Sequence, residues 1–199
     1  MPQHLEIEFK NMLTIDEFNR LLKSFKLTEE NFHEQTNHYF DTANFALKNA
    51  GSGLRIREVQ SRFEYTLKEP TTGIGLTETT DLLTKDLVQS ILTGSSYLHA
   101  NEAIEVGKRL QALQVDPQDL QILGTLFTRR AEIEYEGGLL VFDHSHYADT
   151  DDYELEYEVT DEATGKMIFE NLLAHHSIPI RPAEKKIARF MSAVNKKRG

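Results

Sequence analysis

The stretch QHLEIEFKN, residues 3–11, decides the fold. Read with a period of two, Leu5, Ile7 and Phe9 point one way and Glu6, Glu8 and Lys10 the other. That is a β-strand with one apolar and one fully charged face. One such strand alone fits plain solvated surface, but the pattern recurs along the chain. LRIREVQ (54–60) sets Arg55 and Arg57 opposite Leu54, Ile56 and Glu58. RFEYTLKE (62–69) sets Glu64, Thr66 and Lys68 opposite Phe63, Tyr65 and Leu67, and Ser61 between the two implies a hairpin. LFTRRAEIEY (126–135) alternates Arg130, Glu132 and Glu134 with Arg129, Ala131 and Ile133. LLVFDHSHY carries Asp143, and YELEYEV sets Glu154, Glu156 and Glu158 opposite Leu155, Tyr157 and Val159. FHEQTNHYFD (32–41) and GLTETTDL, which carries Glu78, add two further strands.

Helices with apolar stripes separate these strands. LTIDEFNRLLKSF places Ile15, Phe18, Leu21, Leu22 and Phe25 in helical register, with Thr14 and Glu17 as a capping box. Residues 42–50 read as a turn or short helix, and 84–113 as two helical pieces split at 93–96. A helix opens at Thr160-Asp161 and runs to about His176. The C-terminal helix runs from Ala183 to about Asn195, with Ile187, Phe190, Met191 and Val194 in register and 196–199 as a solvated tail. Turns are expected at Pro70–Gly73 and Gly137-Gly138, and a polar loop at 149–152.

The 199 residues read as a single domain over 1–199, with 39% hydrophobic and 27% charged residues. A net charge of −10 argues against duplex nucleic acid as a partner. No apolar run reaches the roughly 18 residues of a membrane span. The N-terminus lacks the basic and apolar regions of a signal peptide. There are no cysteines, so neither a disulfide framework nor a thiolate metal site is available. A cytoplasmic protein without membrane contact is expected.

If the strands close into a barrel of about eight with helices outside, the charged faces line its lumen. Charges tolerate such burial only when paired or bound to metal. Here the sign sorts by strand: Arg55 and Arg57 share their face with no acid, and Glu154, Glu156 and Glu158 share theirs with no base. Three like charges in a row repel unless a cation sits among them. Converging carboxylates suit Mg²⁺ or Mn²⁺, and converging Arg and Lys suit phosphates. The combination points to a metal–polyphosphate site.

EIEFK (6–10), YFDT (39–42), LRIR (54–57), TLKEP (66–70), GLTE (75–78), Arg130, VFD (141–143), ELEYE (154–158) and Lys185-Lys186-Ile187 follow in an order and spacing that resembles the CYTH superfamily, the triphosphate tunnel metalloenzymes. The wording between these motifs resembles the short single-domain CYTH proteins of Gram-positive bacteria. The resemblance implies an α+β fold, a closed eight-stranded antiparallel β-barrel with a charged lumen and helices outside. It implies Mg²⁺- or Mn²⁺-dependent hydrolysis of a small-molecule triphosphate: tripolyphosphate, thiamine triphosphate or a nucleoside triphosphate. A class IV adenylate cyclase and a non-catalytic polyphosphate binder are the alternatives, in a monomer or homodimer. By the same resemblance, Glu6, Glu8 and Lys10 form the catalytic signature. Glu6 and Glu8 would hold one metal with a carboxylate of the ELEYE strand. Asp143 and a second carboxylate of that strand would hold another. Which of Glu154, Glu156 and Glu158 take part stays open, with Glu156 and one neighbour favoured by spacing. Lys10, Arg55, Arg57, Lys68, Arg130 and Lys186 (preferred over Lys185) would cradle the triphosphate, with Glu78 supporting a basic residue.

Other features carry bland readings. His144 and His146 share a face opposite that of Asp143 and fit a surface or packing role. His175-His176 fits a helix C-terminus, where a cation meets the dipole favourably. Asp149, Asp151 and Asp152 lack the Gly and terminal Glu of a calcium loop.

Overall fold

The structure, a computed structural model, describes residues 3–71, 75–97 and 102–198. Strands β1 (Gln3–Leu13), β2 (His33–Thr42), β3 (Gly53–Val59), β4 (Arg62–Pro70), β5 (Leu76–Leu83), β6 (Leu120–Tyr135), β7 (Gly138–Tyr147) and β8 (Thr150–Val159) form a closed antiparallel barrel. Their order around it is β1-β5-β4-β3-β2-β6-β7-β8. The helices among the described residues are α1 (Ile15–Ser24), α2 (Ala46–Asn49), α3 (Lys85–Leu92), α4 (Ile104–Ala112), α5 (Glu162–His175) and α6 (Lys186–Arg198). None is long and apolar enough to cross a membrane. The chain resolves into two compact units, one centred on residues 35–125 and one on 6–34 with 126–198.

In the first unit, alternation decides which side of β3 and β4 is apolar. Leu54, Ile56, Tyr65 and Leu67 are fully buried and pack with Val88 of α3 and Val106 and Leu110 of α4. Each such side chain contributes about 1.5–3 kcal/mol of burial. Asp81 of β5 accepts the Val106 N–H at 2.8 Å and so fixes the first turn of α4. Glu69 accepts a forked pair from Arg109 of α4 at 2.8 and 2.9 Å. Gln60 and Ser61, at φ +47° and +65°, form the two-residue turn between the paired Val59 and Arg62. Two left-handed residues match the twist of a tight hairpin.

In the second unit, α1 and α5 cover the apolar face of β7 and β8. Phe18 and Leu21 of α1 and Phe169, Leu172 and Leu173 of α5 bury Leu140, Phe142, Leu155 and Tyr157. The capping box is present: the Glu17 N–H donates to Thr14 Oγ1 at 3.3 Å and the Thr14 N–H to Glu17 Oε2 at 2.8 Å. Ile15 departs from the expected stripe and is 52% exposed at the first position of the helix. Glu17 also accepts two bonds from Arg181, at 2.7 and 3.0 Å.

Several boundaries differ from the sequence reading. The β6–β7 turn is Glu136-Gly137, not Gly137-Gly138, since Gly138 already pairs with Tyr135. The polar loop at 149–152 shrinks to Ala148-Asp149, both at positive φ, and β8 starts at Thr150. The C-terminal helix starts at Lys186, not Ala183, and continues through Arg198, so residues 196–198 are helical rather than a tail. The expected turn at Pro70–Gly73 falls partly on 72–73, outside the described residues. At the end of α5, burial and the neighbouring His175 push the His176 imidazole below its ordinary range.

Candidate functional site

In the second unit, strand register turns a row of charges into a defined network. β8 pairs with β1 so that Glu158 faces Glu8 and Glu156 faces Lys10, and with β7 so that Glu154 faces Asp143. On β6, Arg130 faces Asp143. Period two puts Glu154, Glu156 and Glu158 on one face, and the register then gives each a different neighbour.

Asp143, Glu154 and Glu156 are 0–2% exposed, with ligand-capable oxygens within 4.8 Å of one another. Arg130 forks onto Asp143 at 2.7 and 2.6 Å and reaches Glu156 at 3.0 Å. Lys10 donates to Glu156 at 2.9 Å and lies 3.0 Å from Glu8. From α6, Lys186 bonds to Asp143 and lies 3.3 Å from Glu154 and 3.6 Å from Glu156. One turn on, Arg189 donates to Glu154 at 2.7 Å and to Asp152 at 2.9 Å. The acids are thus interleaved with four cations. Burial alone would raise the Glu156 carboxyl; Lys10, Lys186 and Arg130 outweigh it and hold it well below the usual range. Asp143 is likewise held low by Arg130 and Lys186 against the effect of burial. Burial would lower the Lys186 ammonium, yet Asp143, Glu156 and Glu154 hold it above its ordinary value.

Glu6, Glu8 and Glu158 form the second cluster, again with oxygens within 4.8 Å. Its balance is different. Burial, then Glu6, pushes the Glu158 carboxyl up to about 7. Three carboxylates crowd one place, and a divalent cation there would relieve both burial and repulsion. All three sequence candidates on β8 are therefore drawn into carboxylate clusters, Glu158 with Glu6 and Glu8, and Glu154 with Glu156 and Asp143.

In the first unit, Arg55, Arg57, Lys68 and Glu78 share the face of β3–β5 opposite the apolar one. Lys68 pairs directly across from Glu78 and forms an ion pair with it, while Arg55 lies 3.8 Å from the same carboxylate. Glu78 thus lies between two basic residues. Arg57 donates from Nε to Asn37 Oδ1 of β2 at 3.1 Å.

Two participants escaped the sequence reading. Arg189 stands three residues after Lys186, the spacing that shares a helix face, in a helix whose dominant pattern is the apolar register of Ile187, Phe190 and Met191. Asn37 is itself uncharged, and the sequence reading drew no charged face on β2. Lys185 precedes α6 and accepts the Ala188 N–H through its carbonyl, whereas Lys186 takes the place among the carboxylates.

The sequence matches the CYTH domain over residues 4–191. It is 45% identical over 190 residues to a Bacillus subtilis protein named "Putative triphosphatase YjbK", covering 96% of each chain. The crystal structure of "a putative adenylate cyclase" from Bacillus halodurans is 39% identical with a TM-score of 0.89, over 96% of this chain and 99% of that one. The structure of a Hippeastrum protein described as "Putative adenylyl cyclase HpAC1", 22% identical with a TM-score of 0.77 over 94% and 95% of the two chains, shares the fold. The chain belongs to the CYTH domain family.

Proposed function

We propose that this chain acts as a single CYTH domain that hydrolyses a small-molecule triphosphate with the help of Mg²⁺ or Mn²⁺. The observation that carries the reading is the crowding of Glu6, Glu8 and Glu158 within 4.8 Å, beside a second acid cluster already filled by Arg and Lys. An all-oxygen donor set of this kind suits a hard divalent cation. Such an ion, when bound, would neutralise phosphate charge and lower the pKa of a water.

The chain's own residues then take distinct parts. Glu6, Glu8 and Glu158 hold the ion. Lys10, between Glu8 and Glu156, contacts the phosphates and keeps those carboxylates apart. Arg130 and Lys186, exchanging carboxylate partners for phosphate oxygens, stabilise charge on the transferring group. Asp143, Glu154 and Glu156 keep these cations in place, and admit a second ion only when Lys186 or Arg130 turns to the substrate. Arg55, Arg57 and Lys68, oriented by Glu78 and Asn37, are assigned to the phosphate chain on the strength of family membership.

The substrate is tested by a panel of tripolyphosphate, thiamine triphosphate and ATP, each with Mg²⁺ and with Mn²⁺, scored for phosphate release. A second reading, adenylate cyclase, draws on the name carried by the 39%-identical Bacillus halodurans protein. Cyclic AMP from ATP without phosphate release favours that reading. Tight metal-dependent binding with no product from any substrate favours a non-catalytic binder and overturns hydrolysis.

A further inference from the structure

The face of the β7–β8 hairpin that turns away from Asp143 carries a second set of ligating groups. His144 and His146 stand two apart on β7, so they share a face and their Cα atoms lie about 7 Å apart. Asp151 of β8 pairs directly with His146. One oxygen, Asp151 Oδ1, lies 2.8 Å from His144 Nε2 and 3.4 Å from His146 Nδ1. Both imidazoles therefore converge on a single carboxylate oxygen. The His144 ring is held by stacking on Tyr153, with centroids 4.6 Å apart and planes within 15°. His146 and Asp151 are more than half exposed, so an ion can reach them from solvent. The charged neighbour on this face is Arg129, which pairs across from His144 and is engaged with Glu29 and with the Phe32 ring.

We propose that His144, His146 and Asp151 form a binding site for a borderline divalent transition-metal ion, Zn²⁺, Ni²⁺ or Cu²⁺, separate from the oxygen-only clusters. Ligands about 2.0–2.1 Å from a tetrahedral ion lie about 3.3 Å from one another. The two Asp151–imidazole distances already bracket that value; the third edge, between the two imidazoles, is longer than 4.8 Å, and ion binding would have to close it by rotation of the exposed His146 ring. Two imidazoles and one carboxylate select Cu²⁺, Ni²⁺ or Zn²⁺ over Mg²⁺ by ligand type. A bound ion would clip together the two strands whose opposite faces carry Asp143 and Glu154.

The test uses the untagged full chain with excess Mg²⁺ and one equivalent of Cu²⁺, read by electron paramagnetic resonance. Nitrogen hyperfine coupling identifies nitrogen ligation, which a carboxylate cluster cannot give, and its loss on replacing His144 and His146 assigns it to them. The expected result is a nitrogen-coupled signal that is lost in the H144Q/H146Q double variant and persists in E6Q/E8Q. Asp151→Asn is expected to weaken Cu²⁺ by about tenfold or more. Hydrolysis by H144Q/H146Q is expected to match the wild type, which separates this site from the proposed reaction. A nitrogen-coupled signal unchanged in H144Q/H146Q, or the absence of any such signal in the wild type, overturns the proposal.

Discussion

Glu158 is the residue on which the metal assignment turns. Glu154 and Glu156 sit among Arg130, Lys186, Lys10 and Arg189, whereas Glu158 faces Glu8 and is pushed up to about 7. Replacing Glu158 by Gln removes one ligand and one repulsive charge. Mn²⁺ affinity, followed by titration calorimetry, is expected to fall by about 100-fold or more. An unchanged affinity would move the ion to the Asp143 cluster. Arg130 tests the opposite case. Its guanidinium is buried against Asp143, so Arg130→Met leaves a buried carboxylate without its main partner. Urea unfolding is expected to show a loss of about 3–5 kcal/mol. A loss under about 1 kcal/mol would mean that Lys186 alone suffices to hold Asp143.

At the scale of elements, close approach matters more than propensity. Gly165 lies in α5 where it crosses β8, and a Cβ there would come within 2.5 Å of Val159 Cγ2. Alanine favours a helix over glycine by about 1 kcal/mol, so propensity alone predicts stabilisation. The contact reverses the sign: Gly165→Ala is expected to destabilise by about 1–3 kcal/mol, as a lowered urea midpoint. The same scale explains what the sequence could reveal. Strand alternation was legible because a period of two survives in any single strand, as in Glu6, Glu8 and Lys10. Turns were legible as to place but not as to exact residues, because Gln60-Ser61, Glu136 and Ala148-Asp149 take left-handed backbone without a glycine at those positions. The partners of Glu154, Glu156 and Glu158 were hidden for a related reason. They share one face, and only pairing with β1 and β7 sends Glu158 to Glu8 and Glu154 to Asp143. Arg189 was masked by the apolar register of its own helix.

At the scale of the molecule, long-range ion pairs tie distant parts of the chain and make stability depend on pH. Arg181, in the connector before α6, holds the Glu17 carboxyl below its ordinary value, with burial opposing. A lowered folded-state pKa means stabilisation that is fully present above the unfolded carboxylate's value, near 4.5, and is lost as pH falls through the folded value. The stability difference between wild type and Arg181→Gln should therefore shrink as pH is taken from about 6 to about 3. A difference that stays constant over that range would assign the effect of Arg181 to packing.

The most direct test of the whole account is phosphate release from tripolyphosphate, compared with and without Mg²⁺ or Mn²⁺, in the wild type and in Glu8→Gln. Turnover is expected to require the added metal and to fall by about 100-fold or more in Glu8→Gln, with the variant still folded by circular dichroism. Turnover that persists in the presence of a chelator, or that Glu8→Gln leaves intact, would contradict the account.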